Sequence, residues 1–205
     1  MNEIKNKLRN EIVAVIRIKD NKLARLVSEE AMEAGLNFIE LTLTIESAPS
    51  LIKELREVYP EKIIGAGTVL TKEQALEVIQ NGAMFVVSPC FVPEVVQVCN
   101  ENGVLCLPGI GTATEAYNAY KLGCEVVKTF PGDVLGSTFI KSIKSPLPFI
   151  ECMPSGGVSL SNVKEWFQNG AYAVSIGSAL YEGVTSENLE LISERVKEYL
   201  EILKI

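Results

Sequence analysis

The chain has 205 residues, 47% hydrophobic and 22% charged, with 19 Lys+Arg against 26 Asp+Glu and a net charge of −7; this is globular composition without a disorder signature. The acidic balance supplies no basic stripe for a phosphate backbone, which excludes nucleic acid, and the aliphatic runs are too short for a bilayer or a signal-peptide core, so a cytoplasmic location and no membrane partner are expected. There is no histidine, which removes Ser-His-Asp and Cys-His catalysis together with the commonest transition-metal ligand.

The first apolar run, 12–16, ends at Arg17. A helical stripe over 23–34 follows, with Leu23, Leu26, Val27, Ala31 and Ala34 at intervals of three and four, closed by Gly35. The second run, 38–43, contains Glu40 and Thr42 and leads to Thr44; a helix over 47–58 stops at Pro60. Run 63–66 leads to Thr68, and a helix over 72–79 to Gly82. Run 85–87 ends at Ser88-Pro89, and the helix over 93–100 closes at Gly103. Run 104–107 gives only the turn Pro108-Gly109 before a helix over 114–122 and Gly123. Run 125–128 ends in Lys128 and Thr129, followed by Phe130-Pro131. Run 149–153 precedes Ser155, a helix over 162–168 closes near Gly170, run 173–176 leads to Gly177-Ser178, and a helix over 187–203 completes the chain.

The eight runs are rich in Val, Ile and Leu and lack strict alternation, as strands covered on both faces do. Units of about 25 residues, eight times over, fill the length and predict an α/β fold, one compact (β/α)8 TIM barrel spanning 1–205. A doubly wound open sheet is the alternative, but its G-x-G-x-x-G turn after the first strand is missing. The five cysteines are odd in number and contain no C-x-x-C pair, so they are expected to be buried thiols in a reducing compartment. Trp166 is expected to pack, and the acidic last helix to present a solvated face.

In such barrels the working residues stand at the carboxyl ends of the strands. Lys128 lies there in an apolar setting, and burial disfavours the charged ammonium, leaving the neutral amine that attacks a ketone. The bland alternative is a lysine that reaches solvent or pairs with a carboxylate. Glu40, inside a strand covered on both faces, is either a structural partner for Arg17 or Lys128 or the proton shuttle of a site without histidine. Ser155-Gly156-Gly157 after the seventh strand and Gly177-Ser178 after the eighth place backbone N–H groups where barrels hold a phosphate. Gly65 and Gly67 admit a simpler reading, relief of crowding at the barrel mouth.

Taken in order, Ile39-Glu40-Leu41-Thr42, Ile64-Gly65-Ala66-Gly67-Thr68-Val69, Val87-Ser88-Pro89, Leu107-Pro108-Gly109, Val127-Lys128-Thr129-Phe130-Pro131, Pro154-Ser155-Gly156-Gly157-Val158 and Ile176-Gly177-Ser178 resemble the class I 2-keto-3-deoxy-6-phosphogluconate (KDPG) and 4-hydroxy-2-oxoglutarate (KHG) aldolase family, over residues 12–181. The resemblance implies a homotrimeric (β/α)8 barrel that needs no metal or other cofactor and acts on a small 2-keto acid sugar phosphate. It places the Schiff-base lysine at Lys128 and the acid/base glutamate at Glu40. It gives substrate contacts to Thr68, Pro89 and Phe130 and phosphate contacts to Ser155, Gly156, Gly157, Gly177 and Ser178. Thr44, a further expected substrate contact, stands where some members carry an arginine, while Arg17 matches an arginine of one branch and is expected to bind the substrate carboxylate with Thr68. Ser155 replaces a common threonine, and Gly111-Thr112 departs from the pattern as well. The expected reaction is cleavage of KDPG to pyruvate and glyceraldehyde 3-phosphate, with 4-hydroxy-2-oxoglutarate or the galactonate epimer as further substrates. Another phosphate-binding barrel enzyme, of epimerase or thiamine-phosphate type, and a non-catalytic sugar-phosphate-binding barrel remain open at this stage.

Overall fold

In a computed structural model, which describes residues 2–203, eight parallel strands alternate with helices. They are β1 (Ile12–Ile16), β2 (Phe38–Thr42), β3 (Ile63–Gly67), β4 (Phe85–Val87), β5, β6 (Val126–Thr129), β7 (Glu151–Pro154) and β8 (Val174–Ile176), with β5 split by Pro108 into Leu105–Leu107 and Gly109–Ile110. Proline cannot donate to a ladder, so the break falls where the sequence requires it. β1 pairs with β2 and β8, β2 with β3, β3 with β4, and β4 with the first half of β5; the second half pairs with β6, and β6 with β7. Bridges Cys152↔Ala171 and Ser155↔Ser175 join β7 to β8 and close the ring. The fold is a (β/α)8 barrel.

Successive residues of a strand face opposite sides, and the two faces build two separate cores. Val13, Phe38, Ile63, Phe85, Leu105, Val126, Met153 and Ala173 form one buried inner cluster, with one residue from each strand or, for Ala173, from just before β8. Ile12, Ala14, Ile16, Ile39, Leu41, Ile64 and Ala66 belong to the outer cluster, packed under the helices. Full burial of each such aliphatic or aromatic side chain contributes about 1.5–3 kcal/mol. The amino end of the barrel is shut by α1 (Asn2–Leu8), whose Leu8 enters the inner cluster. Tyr172 donates its hydroxyl to the Lys5 carbonyl at 2.8 Å, and the Arg9 guanidinium lies 4.5 Å from the centre of the Tyr172 ring. Lys5 pairs with Glu125 at 2.6 Å. Access to the interior is therefore from the carboxyl end.

The helices between the first six strands are α2 (Asn21–Glu33), α3 (Ala48–Val58), α4 (Lys72–Gln80), α5 (Pro93–Glu101) and α6 (Ala113–Lys121), each within a few residues of its expected position. Thr71 caps α4 with a complete capping box. The segment after β6 instead forms two short helices that periodicity did not disclose, α7 (Gly132–Leu135) and α8 (Thr138–Lys144). Next come α9 (Val163–Gln168), α10 (Ser178–Tyr181) and α11 (Glu190–Leu203).

Several expectations are corrected. The last helix starts at Glu190, not at 187, because Asn188 accepts from the Thr185 N–H and holds that segment in a turn. The seventh strand starts at Glu151; Ile150 donates to the Leu147 carbonyl in a turn, and Phe149 lies outside, 4.2 Å from the Tyr120 ring centre. Four cysteines are buried, but Cys90 is exposed, since it follows Pro89 beyond the end of β4. Trp166 packs in the outer core as expected.

Candidate active site

Glu40 and Lys128 both lie in the barrel interior near its open end. Glu40 stands two residues above inward-facing Phe38, and Lys128 two above Val126, so period-2 alternation alone turns both inward. The Lys128 amine is 3.6 Å from Glu40 Oε1, and the side chains are 2% and 0% exposed. That distance is an ion contact but longer than a hydrogen bond. Neither Glu40 oxygen has a hydrogen-bond partner among the described residues. Burying two charges with so little compensation is unfavourable, the pattern of a pair kept for chemistry more than for stability.

Glycine makes the space. A Cβ on Gly67 would fall 2.0 Å from Glu40 Oε1, and one on Gly65 would fall 2.5 Å from the Phe85 ring. The register explains the first contact: Glu40 pairs with Gly65, Thr42 with Gly67, and the Glu40 side chain leans along the strand into the gap. Gly67 is thus a positioning residue for the carboxylate, a more specific duty than relief of crowding. The next residue, Thr68, has φ of 62°, a left-handed conformation unfavourable for a β-branched side chain and typical of strained functional positions.

Above the pair opens a cavity of about 330 Å³, lined by Val15, Arg17, Phe130, the 155–159 loop, and Gly177, Ser178, Ala179 and Tyr181. Gly156 and Gly157 have φ of 91° and 72°, so the loop presents consecutive backbone N–H groups in the manner of an anion nest. The loop is braced from behind: Gly132 donates its N–H to the Ser155 carbonyl at 2.8 Å, and a Cβ on Gly132 would meet the Gly156 carbonyl oxygen at 2.5 Å. Asn162 donates to the Gly157 carbonyl at 2.8 Å. The Phe130 ring, 5.4 Å from the Lys128 amine, links the cavity to the buried pair.

The structure therefore brings together Lys128, Glu40, Phe130, Arg17, Ser155, Gly156, Gly157, Gly177 and Ser178. Arg17 is the one cationic side chain on the cavity wall among the described residues. Thr68 and Pro89 do not line this cavity; they follow β3 and β4, across the ring from the glycine loops. Thr44 is exposed, and its hydroxyl pairs with that of Thr42 at 2.7 Å. Tyr181 was not anticipated, although its place three residues after Ser178 on a helix puts the two on one face. Its phenol is half-buried, and burial raises its pKa while the Arg17 backbone and charge act the other way. Among the described residues no three His, Cys, Asp or Glu side chains group to hold a metal ion, and no helix is long and apolar enough to cross a membrane.

Comparison with known proteins bears on this geometry. The model of the KDPG and KHG aldolases matches residues 4–195. The chain belongs to that family. It is 36% identical over 159 residues to the 2-dehydro-3-deoxy-phosphogluconate aldolase of Treponema pallidum, covering 77% of this chain and 76% of the relative. It is 31% identical over 206 residues to the aldolase of the same name from Haemophilus influenzae, covering 98% and 97%. Its fold superposes with a TM-score of 0.85 on a Legionella pneumophila KDPG aldolase, at 27% identity over 92% of this chain and 93% of the other, a structure with pyruvate captured as a covalent carbinolamine. The chain is thus an aldolase, a lyase, and the epimerase, thiamine-phosphate and non-catalytic readings find no support in these relatives.

Proposed function

We propose that this aldolase works through a Schiff base on Lys128 and cleaves 2-keto-3-deoxy-6-phosphogluconate to pyruvate and glyceraldehyde 3-phosphate. The observation that carries the reading is the buried Lys128 amine 3.6 Å from a fully buried carboxylate, beneath a cavity walled by a glycine anion loop. The neutral amine adds to the 2-keto carbon to give a carbinolamine, and loss of water, assisted by Glu40, leaves a protonated imine. As the C3–C4 bond breaks, Glu40 takes the C4 hydroxyl proton and the electron pair moves into the enamine. Protonation at C3 and hydrolysis then free pyruvate and restore the amine. The imine is itself the electron sink, so the step draws on no cofactor.

Backbone N–H groups of Gly156, Gly157 and Gly177 with the hydroxyls of Ser155 and Ser178 hold the phosphate. Thr68, Pro89 and Arg17 hold the pyruvyl end, with Phe130 against the chain and Thr44 at the rim. Phosphate binding far from the reacting bond aligns it over Lys128. The same imine chemistry extends to 4-hydroxy-2-oxoglutarate, cleaved to pyruvate and glyoxylate. The chain is proposed to act as one barrel domain, a homotrimer in the cytoplasm. A pyruvate-release assay on KDPG tests the reading. Wild type turns over and Glu40→Gln falls by about 10²–10⁴-fold in kcat, whereas a wild type that releases no pyruvate from KDPG overturns it.

A further inference from the structure

The proposed substrate must run from C2 at Lys128 to a phosphate at the glycine loops. Its middle carbons cross a stretch of wall formed by Val15, Phe130 and Tyr181, beside Arg17. Val15 and Phe130 offer no hydrogen bond, and the Arg17 charge suits an anion. Glu40 takes the C4 hydroxyl in the cleavage step. The C5 hydroxyl is then left without a partner unless the wall provides one.

Tyr181 fits that place. It lies on α10 one turn from Ser178, so the same helix face presents Ser178 to the phosphate and Tyr181 to the carbons before it. It lines the same cavity wall as Arg17 and Phe130, whose ring reaches toward the Lys128 amine, and as the glycine loops. A phenol is both donor and acceptor, so it can meet a substrate hydroxyl in either sense. Burial raises its pKa, so the group stays a neutral donor across the working range.

We infer that Tyr181 is a specificity-determining residue that hydrogen-bonds the C5 hydroxyl of the substrate, the hydroxyl adjacent to the phosphate-bearing carbon. The inference rests on the Schiff-base reading and adds to it the group that selects hydroxylated over deoxygenated chains. A site built to bond a hydroxyl discriminates against its deoxy analogue, because the polar group is otherwise left unpaired.

The test runs the reaction in the direction of synthesis, with pyruvate and either glyceraldehyde 3-phosphate or 3-phosphopropanal, which lacks only the hydroxyl in question. Wild type is expected to favour the hydroxylated aldehyde by about 10–100-fold in kcat/KM, the equivalent of one buried hydrogen bond. In Tyr181→Phe the ratio collapses to within about threefold of one. Ser178→Ala, at the phosphate both aldehydes share, lowers both rates and keeps the ratio. A wild-type ratio near one overturns the inference without need of any variant, as does a Tyr181→Phe ratio equal to that of wild type. Borohydride trapping of wild type with pyruvate separates the two levels: an imine without discrimination sinks only the role of Tyr181, whereas no imine sinks the Schiff-base reading and this inference with it.

Discussion

The two ends of this barrel are built on opposite rules. At the amino end, apolar Leu8, Phe38, Ile63 and Phe85 and the hydrogen-bonded Tyr172 fill the interior, and α1 seals the opening. At the carboxyl end, a few ångströms along the same strands, the interior holds a lysine and a glutamate, glycine replaces side chains at positions 65 and 67, and Thr68 is left-handed. The difference separates what folds the chain from what the chain does. Stability is concentrated below, and the unfavourable terms are gathered above, around the amine proposed as the nucleophile.

The comparison is broken most sharply by removing the amine. Lys128→Met should lower cleavage by about 10⁴-fold or more in kcat. Because it strands Glu40, it should also destabilise the fold, while Lys128→Met combined with Glu40→Leu should restore or exceed wild-type stability by about 1–4 kcal/mol; denaturant unfolding reads both. At the other end, Phe38→Ala should cost about 3–5 kcal/mol of stability by cavity formation, with kcat of the folded fraction near wild type. Equal damage to kcat from both ends would erase the distinction.

Smaller changes sharpen it. Gly67→Ala places a methyl against Glu40 and should displace the carboxylate, lowering kcat by about 10²-fold with little change in KM. Thr68→Gly relieves left-handed strain and should raise stability by about 0.5–1 kcal/mol while raising KM; loss of stability there would show that the strain is absent. The mildest test is chemical. Burial pushes the Cys152 thiol up to about 12, and hydrogen bonding with Cys124 and Cys99, together with burial, holds the Cys106 thiol well above its ordinary value, whereas Cys90 is exposed. Burial disfavours the thiolate, so at pH 8 iodoacetamide should modify Cys90 and spare Cys152 in the native protein, as peptide mass mapping would record.

The sequence makes the lower half of the molecule almost fully readable. Apolar runs between amphipathic stretches locate all eight strands, because parallel strands covered on both faces need Val, Ile and Leu throughout. Lys128 and Glu40 are legible for the same reason, Glu40 as the single charge in its run and Lys128 as a charge at the carboxyl end of an apolar run. The duty of Gly67 is not legible, since it depends on the register that sets Thr42 beside Gly67 and lets Glu40 lean across. Tyr181 escapes notice because α10 is a single short turn, too brief for a periodic stripe to mark it. The segment that forms α7 and α8 has no periodic stripe; it is shaped by close contact of Gly132 with the 155–157 loop. Arg17 shows the limit in another way, for its chain position gives a strand end but not which part of the substrate its long side chain serves.

The most direct measurement is borohydride reduction in the presence of pyruvate, followed by peptide mapping of the product. The expected result is irreversible inactivation with one reduced pyruvyl group on Lys128, lost in Lys128→Met. An unmodified Lys128 in an enzyme that still cleaves substrate, or an adduct on another lysine, would contradict the claim that this buried amine is the nucleophile.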